Sequence, residues 1–469
     1  MHYTEDEESA LTRCNSEDDV VKGLLEGWLK LSVIGLGWMG LPTACLYASK
    51  GVEVIGVDIN PRVVELLNKG TNYLPSEPEL DKLLKEVVGK GLLRAITDTR
   101  EAARQCDIFI VVVPTLVDRS GKPDYSALED VAKKLGEGIR KGSLIVVEST
   151  VGPGVTENVF GRVIEEVSGM NIGKDLFLAY SPIRAMAGRT LIDLVKYPRI
   201  LGANDDRSFM LAKAVLSLIV EGGIIKVSNI KTAELTKLCE NIYRDVNIAL
   251  INQIAVLCER LGIDVYEVIE AANTQPYCHL HLPGIGVGGH CIPVNPYFLL
   301  DVADREGIDL TLVKEARRVN DSMPIHVVKL IVETLRRLRG QVERAKVAVL
   351  GITYRGNVKE HRYSPVLEVI DGLSKLGVEV VVFDPLYTKE ELASIGVKGV
   401  DSLEEAVRDA DCIVIGADHD EFKDLDLDLI ARLARKGACI VEGRHVIKRP
   451  EDVLRRGLKL RGVGRPYYG

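Results

Sequence analysis

Short runs of β-branched and aliphatic residues alternate with stretches of helical spacing between residues 30 and 205. LSVIG, EVIGV, IFIVVV, LIVVE and LFLAY are each bounded by Gly, Pro or polar residues, and each predicts a buried strand. Alternation of strand and helix predicts a parallel, doubly wound sheet. From Lys231 to Leu261 the chain contains neither Gly nor Pro, and its apolar residues recur at helical spacing. That predicts one helix of ~46 Å at ~1.5 Å per residue. After about Pro324 the alternation returns, and KVAVLG, VEVVVFD, CIVIGA and CIVEG predict a second, smaller α/β sheet. Ahead of the first strand, SEDDVVKGLLEGWLK carries a capping residue, early acids and helical apolar spacing, which predicts a short amphipathic helix. The expected fold class is therefore α/β: two Rossmann-like doubly wound sheets joined by a helical central domain with one long helix. The expected boundaries are an extension over 1–29, an α/β domain over 30–205, a helical centre over 206–325 and a second α/β domain over 326–469.

Composition narrows the function classes. Apolar residues make up 46% of the 469-residue chain and charged ones 27%, a balance that supports sizeable cores rather than disorder. The net charge of −8 leaves no basic field for nucleic acid or an anionic membrane. No stretch approaches the ~18 uninterrupted apolar residues of a membrane span. The start, MHYTEDEESALTRCNSEDD, is acidic and polar, the opposite of a secretory signal. Nine Cys without a CxxC pair or zinc-like spacing predict reduced thiols, no structural metal and a cytoplasmic location.

Four segments carry candidate chemistry. Val33-Ile34-Gly35-Leu36-Gly37-Trp38-Met39-Gly40 leaves a strand, opens a helix and is followed by EVIGVD, which ends in Asp58. In that context GxGxxG reads as a dinucleotide fingerprint. Gly35 makes the turn, Gly37 lets backbone approach the pyrophosphate, and Gly40 lets the helix sit close on the strand. Asp58 can accept from both ribose hydroxyls and would repel a 2′-phosphate, so NAD is favoured over NADP. The second segment, Pro283 to Pro293, ends a glycine-rich loop in His290-Cys291, where a thiol beside an imidazole is a candidate nucleophile of lowered pKa. On the long helix Lys237 and Asn241 are four apart and share a face, with Asp245 further along. Spacing alone reads such a pair as a solvated stripe as readily as an anchor for a hydroxyl or oxyanion. The fourth segment, Tyr354 to Arg362, follows a strand, where α/β sheets bind ligands. Arg355 and Arg362 would suit an anion there, and a charged surface loop is the alternative.

Taken together these segments resemble the nucleotide-sugar 6-dehydrogenases, the UDP-glucose and GDP-mannose dehydrogenase family, over roughly residues 30 to 450. GLGWMGLPTA, VDIN, VVPTLVD, ESTVGPG, LTKLCENIYRDVNIA, GIGVGGHCIPV, GITYRGNV and RYSP occur in the family's order. The resemblance implies oxidation of a nucleotide sugar's primary 6-hydroxyl to a carboxylate, with two NAD per turnover and an enzyme thioester. It further implies an N-terminal NAD domain, a helical centre that dimerises and a C-terminal nucleotide-sugar domain, hence a homodimer. Carried over by position, Cys291 is the nucleophile, Lys237 the base or oxyanion partner, Asn241 the residue that holds the reacting oxygen, and Thr150 a contact to cofactor and water. Gly35, Gly37, Trp38, Met39, Gly40, Asp58, Arg62, Pro114, Thr115 and Thr150 form the implied cofactor set. Arg184, Lys237, Asn241, Arg244, Asn247, His281, Gly286, Gly288, Tyr354, Arg355 and Arg362 form the implied substrate set. YRDVN and GVGGHCIPV resemble the branch acting on N-acetylated sugars, which implies a UDP-sugar substrate and makes UDP-N-acetyl-D-mannosamine the best match.

Two positions depart from the family pattern. Where it reads SPER this chain has Ser181-Pro182-Ile183-Arg184, and four residues after the nucleophile the usual Asp is Asn295. Isoleucine cannot accept a proton, and an amide is a far weaker base than a carboxylate. Thioester hydrolysis is the step most exposed by these changes. Two expectations compete: Lys237, with His290, supplies the base, or the chain is a nucleotide-sugar-binding paralogue with impaired or no turnover. A two-electron β-hydroxyacid dehydrogenase is a third possibility, but it needs neither the thiol loop nor the last ~140 residues.

Overall fold

The computed structural model describes residues 8–74, 77–118 and 120–469. The chain divides into two compact units, Met1–Glu240 with Tyr297–Ile308, and Asn241–Pro296 with Asp309–Gly469.

The first unit is built on eight strands: β1 (Leu31–Ile34), β2 (Val54–Val57), β3 (Leu93–Ile96), β4 (Ile108–Val111), β5 (Leu144–Val147), β6 (Phe177–Tyr180), β7 (Arg199–Ala203) and β8 (Ile224–Lys226). Their order is β8-β7-β6-β5-β4-β1-β2-β3. Strands β1 to β6 are all parallel, as the sequence pattern predicts for β1, β2, β4, β5 and β6; β3 is an additional parallel strand at the edge. The edge pair departs from that pattern, because β7 runs antiparallel to β6 and β8 pairs parallel to β7. Successive residues of β4 and β5 enter opposite cores: Ile108, Ile110, Leu144 and Val146 on one face, Phe109, Val111, Ile145 and Val147 on the other. A sheet covered on both faces needs continuous rather than alternating apolar runs, which is what made these strands legible. The order reverses at β1, flanked by β2 and β4, so the carboxyl ends of these strands open a ligand crevice at a topological switch point.

The N-terminal stretch is part of this unit's core. Helix α1 (Glu17–Glu26) starts at Ser16 in a capping box with Asp19, and Leu11, Val20, Leu24 and Leu29 are fully buried. Helix α2 (Gly40–Ser49) follows β1. The long helix α3 (Ile230–Leu261) runs 32 residues, as its Gly- and Pro-free pattern predicts; its residues up to Glu240 belong to the first unit and the rest to the second.

In the second unit six strands, β9 (Lys346–Leu350), β10 (Glu379–Phe383), β11 (Cys412–Ile415), β12 (Cys439–Glu442), β13 (Lys459–Gly462) and β14 (Arg465–Tyr468), take the order β10-β9-β11-β12-β13-β14. All pair in parallel except the closing β13–β14 hairpin. Helix α4 (Asn295–Arg305) follows the glycine-rich loop, and from Tyr297 onward it belongs to the first unit. Helix α5 (Thr311–Arg339) runs through Pro324, where the sequence pattern suggested that the α/β alternation resumes; the first strand begins only at Lys346. Helix α6 (Pro365–Lys375) follows the Tyr354 to Arg362 loop.

The turns after β1 and β9 are built alike. Gly35 (φ +93°) and Gly351 (φ +86°) each donate their amide across 2.8 Å, to Val57 O and Phe383 O. The next amide donates to an acid at the end of the neighbouring strand, Leu36 to Asp58 (3.0 Å) and Ile352 to Asp384 (2.8 Å). Asp384 is fully buried against His419 (3.2 Å), whereas Asp58 is only half-buried. Only the first of the two turns leaves its acid accessible to a ribose. Among the described residues, no helix is long and apolar enough to cross a membrane.

Candidate active site

In the first unit the three fingerprint glycines have separate structural reasons. A Cβ on Gly35 would sit 2.5 Å from Val112 O, and one on Gly40 would sit 1.7 Å from Gly35 O. A Cβ on Gly37 meets nothing within 4 Å, so this is the one position of the three where open space adjoins bare backbone. Helix α2 begins here without a side-chain cap, leaving its N-terminal end to an anion. Trp38 and Met39 are half-buried and pack on the core. Asp58 accepts from Leu36 N through one oxygen and from Asn60 N (2.9 Å) through the other. Arg62 is exposed at the start of the next helix. These features fit a dinucleotide with an unphosphorylated ribose.

The loops after β4 and β5 are tied together. Thr115 Oγ1 donates to Thr150 O (2.6 Å) and Ser149 Oγ to Val113 O (2.7 Å), while Pro114 is exposed. Beyond Thr150, Gly152 N donates to the Tyr125 hydroxyl (3.1 Å), and Gly154 N and Thr156 N donate to the Glu234 carboxylate (2.6 and 2.8 Å). Glu234 is fully buried, and that burial pushes its carboxyl up to about 7 despite the hydrogen bonds it accepts. Three residues along α3, Lys237 Nζ donates to Ile183 O (2.7 Å). The residue that replaces the family acid therefore still offers the lysine a neutral backbone acceptor. Arg184 donates to Pro198 O (3.1 Å) and pairs with Glu240 (2.8 Å).

In the second unit the glycine-rich loop lies against the Tyr354 to Pro365 segment. A Cβ on Gly288 would sit 2.6 Å from both Tyr354 Cβ and Tyr363 O, and one on Gly289 (φ +92°) would sit 2.9 Å from the Tyr354 ring. Gly286 (φ +144°) lies against Pro365 and Asn320. The close neighbour that Gly286 and Gly288 admit is thus the protein's own chain. The loop ends in Cys291, an exposed thiol whose carbonyl accepts from Val294 N (3.2 Å) and Asn295 N (2.8 Å). Six of the other eight Cys are buried, and Cys278 is half-buried; Cys239 alone shares this exposure. Asn295 is buried, and its Oδ1 accepts from Asn241 Nδ2 (2.5 Å). Two amides are thus joined at the position where the sequence departs from the expected Asp. Burial pushes the Tyr354 phenol up, and the nearby Cys291 and Glu360 add to the shift.

Further along α3, Asp245 is buried against Arg317 (2.5 Å) and Asn320 (2.8 Å), so this member of the polar stripe is structural. Asn247 clamps the segment before the glycine-rich loop by donating to His279 O (2.8 Å) and accepting from His281 N (2.9 Å). That brings His281 beside the exposed Arg244, and burial together with the Arg244 charge pushes the imidazole down. Arg355 is half-buried, and its carbonyl accepts from Thr353 Oγ1 (2.9 Å). Arg362 is committed to Glu360, at 2.6 Å from Nη2.

Three family models cover this arrangement: an NAD-binding domain matches residues 29–219, a central domain 231–322 and a UDP-binding domain 348–449. The chain belongs to the UDP-glucose/GDP-mannose dehydrogenase family. Among similar proteins is a UDP-N-acetyl-D-mannosamine dehydrogenase of Pyrococcus horikoshii, 39% identical over 93% of this chain and 99% of the relative. An NDP-N-acetyl-D-galactosaminuronic acid dehydrogenase of Ralstonia solanacearum is 36% identical over 85% of this chain and 92% of its own length. A solved structure of the UDP-D-ManNAc dehydrogenase from Pyrococcus horikoshii superposes with a TM-score of 0.85 at 38% identity, covering 93% of this chain and 99% of that one. A UDP-glucose dehydrogenase from Pyrobaculum islandicum superposes with a TM-score of 0.83 at 29% identity, covering 93% and 98%.

As a member of this family the protein is an NAD-dependent nucleotide-sugar dehydrogenase, and the turn at Gly35, Gly37 and Gly40 with Asp58 has the form NAD requires. Sequence reasoning missed Glu234, Tyr125 and Glu360. Glu234 binds amides 80 and 78 residues away, and Glu360 meets His290 across 70. No local pattern announces such partners.

Proposed function

We propose that this dehydrogenase oxidises the sugar 6-hydroxyl of UDP-N-acetyl-D-mannosamine to the uronate through a thioester on Cys291. The observation that carries the reading is the exposed Cys291 thiol, held at the end of a glycine loop that packs on the Tyr354 segment. NAD held at the Gly35–Gly40 turn and Asp58 would supply the acceptor for the hydride lost from the sugar's C6 in each of the two oxidations. Lys237, held through the Ile183 carbonyl, takes the proton of the 6-hydroxyl. The Asn241 amide, fixed by Asn295, holds the reacting oxygen. In this reading Thr150, whose carbonyl accepts from the Thr115 hydroxyl, contacts cofactor and water. Cys291 adds to the aldehyde, the second oxidation leaves a thioester, and water releases the carboxylate and the thiol. The N-acetyl preference is supported by the YRDVN and GVGGHCIPV segments and by the relatives' names. A cytoplasmic homodimer completes the proposal, its interface formed by the exposed apolar residues of α3.

Cys291→Ser tests it: acid formation is expected to stop while nucleotide-sugar binding remains, and full uronate turnover by the variant would reject covalent catalysis. The second reading, a paralogue with impaired turnover, is favoured by Ile183 and Asn295, because neither side chain can replace a carboxylate base. It predicts tight nucleotide-sugar binding with little or no NADH.

A further inference from the structure

Resting on the thioester reading, we propose that His290, oriented by Glu360, is the base that activates water for thioester hydrolysis. His290 immediately precedes the nucleophile in the chain, and its ring is placed from two sides. Its Nε2 lies 3.3 Å from Glu360 Oε2, and its ring forms a T-shaped pair with that of Tyr363 at 5.1 Å between centroids and 87° between planes. The Glu360 side chain is only 6% exposed, whereas that of His290 is 40% exposed, so the imidazole keeps an edge open to water. Glu360 is itself fixed by the Arg362 amide (2.9 Å) and guanidinium (2.6 Å). Burial alone would raise this carboxyl, but hydrogen bonds from His290 and Arg362 outweigh it and hold it well below the usual carboxylate range.

An anionic Glu360 can only accept, so a neutral His290 must present Nε2–H to it and carry its lone pair on Nδ1. The carboxylate thus selects the tautomer and steadies the imidazolium formed in the step. Nδ1 takes a proton from water as the oxygen attacks the thioester carbonyl. The C–O bond forms, the C–S bond breaks, the Cys291 thiolate leaves, and the imidazolium returns the proton to sulfur or solvent. No electrons change hands in this step. Neither departing position can compete for the role, because the Ile183 side chain has no acceptor and the Asn295 amide is engaged by Asn241. Glu360 acts as a positioning residue, because it reaches the water only through the ring.

Rapid-quench intact-mass analysis of the full chain with NAD and UDP-N-acetyl-D-mannosamine separates the steps. His290→Asn keeps a donor for Glu360 but removes the base. It is expected to show the wild-type NADH burst, to accumulate a sugar adduct on Cys291 and to slow steady turnover by about 100-fold or more. Added imidazole is expected to restore part of the deacylation in His290→Gly, and Glu360→Gln to slow deacylation while sparing the burst. Wild-type deacylation in His290→Asn would overturn the proposal and leave the thioester intact. If Cys291→Ser turns over and no adduct forms in any variant, the underlying reading fails instead.

Discussion

Gly37 and Gly40 are three residues apart and demand opposite outcomes on substitution. A Cβ on Gly40 would be 1.7 Å from Gly35 O, a backbone atom that cannot swing aside, so Gly40→Ala must separate α2 from the turn after β1. A cost of about 1–3 kcal/mol or more is expected, read as a lower midpoint in denaturant without NAD. Gly37→Val places its side chain in open space, so it should unfold like the wild type and fail in cofactor binding, read as a raised KM for NAD. At the chemical site, Lys237→Ala should lower acid formation by about 10²–10⁴-fold, the usual worth of a positioned base. A Lys237→Ala variant making acid at the wild-type rate would remove the lysine from the mechanism.

At the scale of the element, α3 carries a buried carboxylate whose titration shapes stability. Glu234 has an ordinary value near 4.5 that burial raises to about 7. The folded chain therefore keeps this proton over a range where the unfolded chain has released it. The sign follows: the contribution is favourable at acid pH and is lost as pH rises from about 4.5 to 7. Relative to Glu234→Gln, the wild type should lose stability across that window, and a difference in melting temperature that does not change with pH would contradict the assignment. Elements of this kind were unevenly legible in the sequence. The parallel strands β1, β2, β4 to β6 and β9 to β12, and α3, could be read because a sheet buried on both faces and a helix free of Gly and Pro leave one-dimensional patterns, whereas β3 and β13 were not among the expected runs. The edge strands β3, β7 and β8 were not read; β3 exposes Arg94, and β8 is a three-residue strand with an exposed lysine. Helix α5 crosses Pro324 because the buried face around it, from Val313 to Leu335, outweighs one lost amide. Cys291 stood out as a candidate through its glycines, whereas Glu234 and Glu360 meet partners that only the fold brings near.

At the scale of the whole molecule, α3 exposes Tyr243, Leu250 and Leu257 at seven-residue intervals, with Leu261 one turn further on. Such a stripe faces water only at a cost, and a second copy of the chain is the proposed cover. Sedimentation is expected to give twice the 51.5 kDa chain mass, and Leu257→Glu to shift it toward one. The same turn recurs after β1 and β9 with different outcomes: the first leaves Asp58 half-buried, and the second buries Asp384 against His419. Ile183 and Asn295, the two departures from the expected motifs, bear directly on the proposed four-electron oxidation. The most direct test is to mix the purified protein with NAD and UDP-N-acetyl-D-mannosamine, count NADH formed per sugar consumed and weigh the product. Two NADH and a uronate are expected; one NADH with an aldehyde, or binding with none, would contradict a complete four-electron oxidation through Cys291.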